Sequence, residues 1–242
     1  MTNPEGALSA PKQGGLFENL VEVLYAPSAV FDRTRAAKAG KYALVTALIV
    51  MVVVLATKNL VMPWFEAQGD LALKLAAAKG KPIPEAAASA MRASTAWGVV
   101  AGAPLVALIG PYINALFLLL GAKLMKAPLS YAQAATVAVL AGVPRLFSWI
   151  LMPVQALVLD GASARSLMDL SLSPARFVDP EKVPQPVLAL LGNLDVFHLW
   201  QLALTAIGVA VVARVSKGTG VLIALIMFGI AAILQLAPSA LM

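Results

Sequence analysis

From Val196 to Ala213 the chain carries no Asp, Glu, Lys or Arg. At 1.5 Å rise per residue that run makes about 27 Å of helix, close to the hydrocarbon thickness of a bilayer. Asp195 and His198 mark one polar edge, with Trp200 just inside, and Arg214 and Lys217 mark the other. These residue types belong at membrane interfaces. The rest of the chain offers little alternative. Sixty per cent of its 242 residues are hydrophobic and 12% are charged, more apolar side chain than a chain of this length can enclose in its own interior. Part of its solvent is therefore lipid.

Four further runs of the same kind make the expected fold an all-α polytopic transmembrane helix bundle. Its five spans lie at about 42–62, 95–122, 131–159, 195–214 and 221–237. Residues 1–15 mix Pro, Gly and polar residues without periodicity and read as a disordered arm that lacks the basic start and apolar core of a signal peptide. Within 16–41, Leu16, Phe17, Leu20, Val21 and Leu24 recur at helical spacing opposite Glu18, Asn19 and Glu22, as in an amphipathic helix lying on the membrane surface. A second short helix, with Val30 and Phe31 inward, leads to Arg33, Arg35, Lys38 and Lys41. Those four bases are expected to anchor topology and to face anionic lipid head groups.

The first span is expected to stop at Pro63-Trp64, followed by a loop of about thirty residues that contains the helical stretch LALKLAAAKG. The uncharged run from Ala93 to Ala122 exceeds a bilayer, so the second span should tilt, project, or bend at Pro104 and Pro111. Gly98 and Gly102 form a GxxxG pair, read as a packing site within the bundle ahead of a dimer face. The third span is interrupted at Gly142-Val143-Pro144-Arg145, where proline removes a backbone bond and frees an upstream carbonyl.

Arg145 is the one charge well inside any span. A guanidinium there needs partners, and Asp195, Asp160, Asn114 and the carbonyls released by Pro144 are the candidates. Its plainer role is a clamp on a broken helix; its functional role would be a ligand or lipid-phosphate site. After Asp160 a polar connector carries Arg165, Asp169, Arg176, Asp179, Glu181 and Lys182. It ends in VLALL, too short to span and read as a helix resting on the bundle.

No cysteine is present and His198 is the single histidine. That pair of facts excludes thiolate chemistry and a cysteine- or histidine-rich metal site, and no cofactor motif appears. The net charge of +6 is read through its division across the membrane, not as a nucleic-acid footprint. Lys12, Arg33, Arg35, Lys38, Lys41, Lys123, Lys126, Arg214 and Lys217 fall on one side in short segments beside span ends. Lys58, Lys74, Lys79, Lys81, Arg92, Arg165, Arg176 and Lys182 are diluted among acids on the other. The expected threading places the N-terminus in the cytoplasm and the C-terminus outside.

Three segments in this order, LYAPSAVF, YAQAATVAVLAGVPRLF and LDVFHLWQLALTAIGVAVVARVSKG, resemble the Yip family, five-span membrane proteins named for interaction with Ypt/Rab GTPases, and in particular its bacterial branch. The resemblance covers about residues 16–240. It implies that Pro27, Phe31, Pro144, Asp195, Phe197, Trp200 and Gly208 occupy the family's recurring positions, and it points to a bacterial inner-membrane location. Eukaryotic members act in vesicle trafficking and membrane shaping; this chain departs from them in its short N-terminal arm.

The expected function is a non-enzymatic scaffold or adaptor in membrane organisation, with membrane lipids, protein partners and a second copy of itself in a homo-oligomer as the candidate partners. The alternative is a transporter or lipid-handling protein using the Pro144-Arg145 break with Asn114, Asp195, His198 and Trp200 nearby. A third idea, an intramembrane serine protease, rests on Gly161-Ala162-Ser163-Ala164 and on His198 as base. It is disfavoured because Ser163 falls in a charged connector.

Overall fold

The computed structural model describes residues 14–241; the expected disordered arm lies, up to residue 13, outside them. Every regular element among the described residues is helical: α1 (Leu16–Glu22), α2 (Pro27–Arg33), α3 (Ala39–Ala78), α4 (Glu85–Leu124), α5 (Tyr131–Ala141), α6 (Pro144–Val158), α7 (Gln185–Asn193), α8 (Val196–Val212) and α9 (Lys217–Leu241), with three single 3₁₀ turns between α6 and α7. The chain runs along the bundle five times, through α3, α4, α5 with α6, α8, and α9. Four of these passes are long and apolar enough to cross a membrane alone: α3, Val100–Leu124 of α4, Tyr131–Val158, and Lys217–Gln235 of α9. With 17 residues, α8 reaches that length only together with α7, against which it is bent by 60°. An all-α polytopic membrane bundle is therefore the fold, with four crossings by length alone and five with the bent pair.

Two sequence expectations are corrected at the first hairpin. The first helix does not stop at Pro63. It continues for 40 residues, and α4 is equally long, so the thirty-residue loop is replaced by a short connection over 79–84. An interior proline forfeits one backbone bond and crowds one carbonyl, and here the downstream residues outweigh that loss. LALKLAAA is built from strong helix formers, and Arg92 of α4 ties the hairpin by donating to Asp70 at 2.7 Å and to Glu85 at 3.0 Å. The pairing is antiparallel throughout. Gly40 lies against Tyr112, Val50 and Val54 pack with Ala103, Lys58 sits 5.2 Å from the Trp97 ring, and Gly69 faces Arg92. The GxxxG expectation is also corrected: among the described residues a Cβ added at Gly98 or Gly102 would meet nothing within 4 Å, so neither glycine is held in a close packing contact there.

The connector after α6 is a folded cap, not merely a polar tether. Val61, Trp64, Phe65 and Leu170 form a small buried core with Met152, Ala156, Ala164 and Leu167 packed on it. Gln155 accepts from Arg176 at 2.9 Å and donates to the Leu170 carbonyl at 2.6 Å, and Gln68 accepts from the Leu167 N–H at 3.3 Å. VLALL does form a helix on the bundle. Leu188 of α7 is buried and Asn193 donates to Gln235 of α9 at 3.1 Å.

The main core lies in the half of the bundle nearer the N-terminus, around Tyr42, Leu118, Val137, Leu140, Val209 and Ile223. Two glycines set its spacing. At Gly208 of α8 a Cβ would come within 2.9 Å of Phe31 and Val137 side-chain carbons, and at Gly220 of α9 within 2.5 Å of the Ala206 carbonyl oxygen. Phe31, fully buried, therefore anchors α2 in a notch that only glycine leaves open.

Candidate functional site

The break in the third pass is local in origin. Helix α5 ends at Ala141, and α6 starts with Pro144 in its first turn, where a missing N–H costs nothing. Two tight bonds, Arg145 N–H to the Gly142 carbonyl (3.0 Å) and Leu146 N–H to the Val143 carbonyl (2.9 Å), carry the backbone across. The break leaves Arg145 fourteen residues beyond Tyr131 in the 28-residue stretch Tyr131–Val158.

His198 is the direct side-chain partner of Arg145, joined through Nη1 and Nε2. It was absent from the four candidates weighed above. Since a guanidinium only donates, Nε2 must accept, which places the ring proton of His198 on Nδ1. Asp195 sits beside this pair without closing an ion pair. It is buried, and each of its oxygens accepts a backbone N–H: Oδ1 from Phe197 at 2.9 Å, capping α8, and Oδ2 from Leu172 of the connector at 3.0 Å. Phe147 stacks between Phe197 and Trp200, with ring centroids at 6.2 and 6.3 Å. The break therefore gathers Pro144 and Arg145 from the start of α6 with Asp195, His198 and Trp200 from the start of α8.

Two cavities open from Arg145. One, of about 220 Å³, lies between α6, the connector and the start of α8, and is lined by Ser148, Asp195 and His198 among others. The other, of about 140 Å³, is lined by Thr46, Asn114 and Gln201. Asn114 thus shares a cavity with Arg145 without bonding it. Asp160 is elsewhere, in a third cavity with Ser163, Arg165, Asp169 and Arg176. Ser163 donates there to the Asp160 carbonyl at 2.8 Å, while His198 is engaged by Arg145 at a cavity that Ser163 does not line. The serine and histidine of the protease idea are not brought together.

The N-terminal bases divide. Arg33 donates to Glu22 and, at 2.7 Å, to the buried Asn19, which in turn donates to the Tyr42 hydroxyl at 2.9 Å. Arg35 bonds Asp32 at 2.9 Å and the Val211 carbonyl of α8 at 2.8 Å. Two of the four bases expected to face lipid are thus turned into the protein, because α1 and α2 dock on the bundle through them; Lys38 and Lys41 stay exposed. The helix face is corrected too: Asn19, Leu20 and Val23 are buried, while Phe17, Val21 and Tyr25 point outward. Nothing in the local sequence marks Asn19 as the buried residue, since its partners Arg33 and Tyr42 come from later elements.

The docking is pH-sensitive. Glu22 lies below its ordinary carboxyl value of 4.5 because Arg33 donates to it. A carboxyl depressed in the folded protein stabilises it fully above the unfolded value and loses that contribution as pH falls through the lower, folded value. Hydrogen exchange over residues 16–34, corrected for intrinsic rates, should therefore lose protection as pH falls below the ordinary carboxyl value of 4.5, while α5 keeps its own. Glu22→Gln should remove that acid-dependent step, and an unchanged step would refute the assignment.

Comparison with curated proteins and with solved structures returns no match. The family model for the Yip1 domain matches residues 21–237, from the exposed edge of α1 through all five passes of the bundle. Helix α2, the broken third pass and the Phe31-filled notch of α8 fall within that match, and the chain belongs to the Yip1 domain family.

Proposed function

We propose that this Yip1-domain protein is a non-enzymatic scaffold of the bacterial inner membrane, with its N-terminus in the cytoplasm and its C-terminus outside. The docked α1–α2 pair is its platform for lipid and for protein partners. The observation that carries this reading is the state of the charges on the N-terminal face of the bundle. On that face Lys38, Lys41, Lys123, Lys126, Arg214 and Lys217 have no carboxylate within 4.0 Å among the described residues and only Arg33 and Arg35 are ion-paired, whereas on the opposite face Lys74, Arg92, Arg165 and Lys182 are ion-paired and Lys58, Lys79, Lys81 and Arg176 are not. Unpaired bases beside span ends are what hold a face in the cytoplasm and attract anionic head groups.

Backbone geometry supports the same orientation. Helices α4 and α8 end with Lys126 (φ 53) and Arg214 (φ 52) in the left-handed conformation, while α3, ending on the opposite face, uses Gly80 (φ 72). A non-glycine residue there costs about 1 kcal/mol. On the N-terminal face that cost is accepted for a base at a helix C-terminus, where positive charge is favoured. Phe17 and Val21 of α1 and Tyr25 in the turn after it form an outward apolar edge, suited to the head-group boundary of an anionic leaflet.

Two measurements test the reading. Reporter fusions should place the end of α9 outside; a C-terminal fusion active only in the cytoplasm would reverse the threading. Crosslinking in native membranes from residues 17, 21 and 25 should capture a reproducible protein partner or anionic lipid. Replacing all three with Ser should abolish that capture while the bundle stays folded, and capture that survives the replacement refutes the platform.

A further inference from the structure

The unspent donors at the helix break carry an inference beyond the scaffold reading and independent of it. Arg145 is deep along a membrane-crossing element, its one side-chain partner is a neutral-accepting imidazole, and no carboxylate lies within 4.0 Å of its guanidinium among the described residues. A charge so placed is costly unless a counter-ion reaches it. Asp195, the nearest acid by position, already accepts two backbone N–H groups. As a residue Arg145 is nonetheless exposed, and it lines the cavity of about 220 Å³. Ser148, three residues further along α6, lines the same cavity, as does His198, whose Nδ1 holds a proton to donate.

We propose that this cavity binds a phosphate-type oxyanion, held by Arg145 and supported by the Ser148 hydroxyl and His198. The donor set suits that chemistry, since guanidinium N–H groups fork onto phosphate oxygens. Asp195 on the cavity wall disfavours a second negative charge and so selects a singly charged phosphodiester over a dianion. The rest of the wall fits the same ligand: Leu151 and Met152 of α6, Leu167 and Phe197 line the cavity, an apolar surface for the acyl chains attached to a head group. Phosphodiester lipid and phosphate from water share the recognition chemistry, and the experiment separates them.

The full chain purified in detergent is heated while tryptophan fluorescence is followed. Phosphatidylglycerol, inorganic phosphate or diacylglycerol is added in parallel. Phosphatidylglycerol should raise the unfolding midpoint by several degrees, as a ligand specific to the folded state does, and diacylglycerol should not. A rise with phosphatidylglycerol alone assigns the site to lipid; a comparable rise with inorganic phosphate assigns it to phosphate from water. Arg145→Gln should lose the rise, Arg145→Lys should keep part of it, Ser148→Ala should reduce it, and the exposed pair Lys79→Gln, Lys81→Gln in the α3–α4 connection should leave it intact. Should Arg145→Gln fail to fold, native mass spectrometry of the wild type and of Ser148→Ala decides, with phospholipid or phosphate adducts expected on the first and depleted on the second. No rise with either phosphate source, an equal rise with diacylglycerol, or an undiminished rise in Arg145→Gln overturns the proposal.

Discussion

Replacing Gly220 with Ala should lower the stability of the folded protein by about 2–3 kcal/mol, the cost of overpacking a site that cannot give way. A Cβ there would stand 2.5 Å from the Ala206 carbonyl oxygen, 3.0 Å from the Ala210 Cβ and 3.2 Å from the Ala210 nitrogen. All three belong to α8, and two are backbone atoms, so no rotamer change relieves the contact. Either α9 moves off α8 or the first turn of α9 distorts. One turn further along, α9 is also held against α4, where Gly121 lies against the Ile223 backbone. The control is built into the same molecule. Gly98→Ala and Gly102→Ala meet no atom within 4 Å and should gain about 0.5–1 kcal/mol each from helix propensity. The chain has no cysteine for thiol-reactive probes, so tryptophan fluorescence against temperature or denaturant is the measurement. A Gly220→Ala midpoint at or above that of Gly98→Ala would contradict the close approach. Loss of a homodimer in Gly98→Ala with unchanged monomer stability would instead give that outward glycine pair an intermolecular role.

The contrast between these glycines shows how much of the fold was legible in the sequence. Uncharged runs located the passes because the cost of burying charge in lipid dominates every other local term. Register did not follow from that. In Gly98-x-x-x-Gly102 and in the isolated Gly208 and Gly220 the local composition is much alike, and only the placement of α2, α5 and α8 decides which glycine is needed. Pro63 misled for a related reason: a proline reads as a stop locally, while the ties that keep α3 helical, Arg92 to Asp70 and Trp64 under the connector, come from residues far along the chain. At the helix break, Pro144 and Arg145 were visible as an anomaly, since a charge and a proline interrupt an apolar run. His198 was visible as a polar edge residue, yet its pairing with Arg145 spans 53 positions and depends on how far α8 is set along α5. Asn19 carried no signal at all; a buried amide can be found only once Arg33 and Tyr42 are assembled around it.

Asp195→Ala is expected to destabilise the protein by about 2–4 kcal/mol, by two separable routes. The first is the cap: Oδ1 accepts the Phe197 N–H at 2.9 Å at the start of α8, and losing such a cap costs about 1 kcal/mol. The second is the connector: Oδ2 accepts the Leu172 N–H at 3.0 Å, and a buried N–H stripped of its partner costs about 1–3 kcal/mol. Asparagine keeps one oxygen acceptor, so Asp195→Asn should recover the cap and leave the connector bond unmade, placing its midpoint between wild type and alanine. The two routes differ in where they act. Hydrogen exchange should show the first turn of α8 loosened in Asp195→Ala alone, and residues 167–173 loosened in both variants. The carboxylate also lends negative charge to the surroundings of Arg145, and Asp195→Asn removes it while α8 stays capped. If the cavity at the break binds a phosphate-type anion, that variant should take inorganic phosphate more tightly than the wild type even as its own folded state weakens. Affinity and stability would then move in opposite directions at one residue, which a purely structural role for Asp195 does not produce. Parallel losses of both in Asp195→Asn would mean that the carboxylate only holds the connector in place.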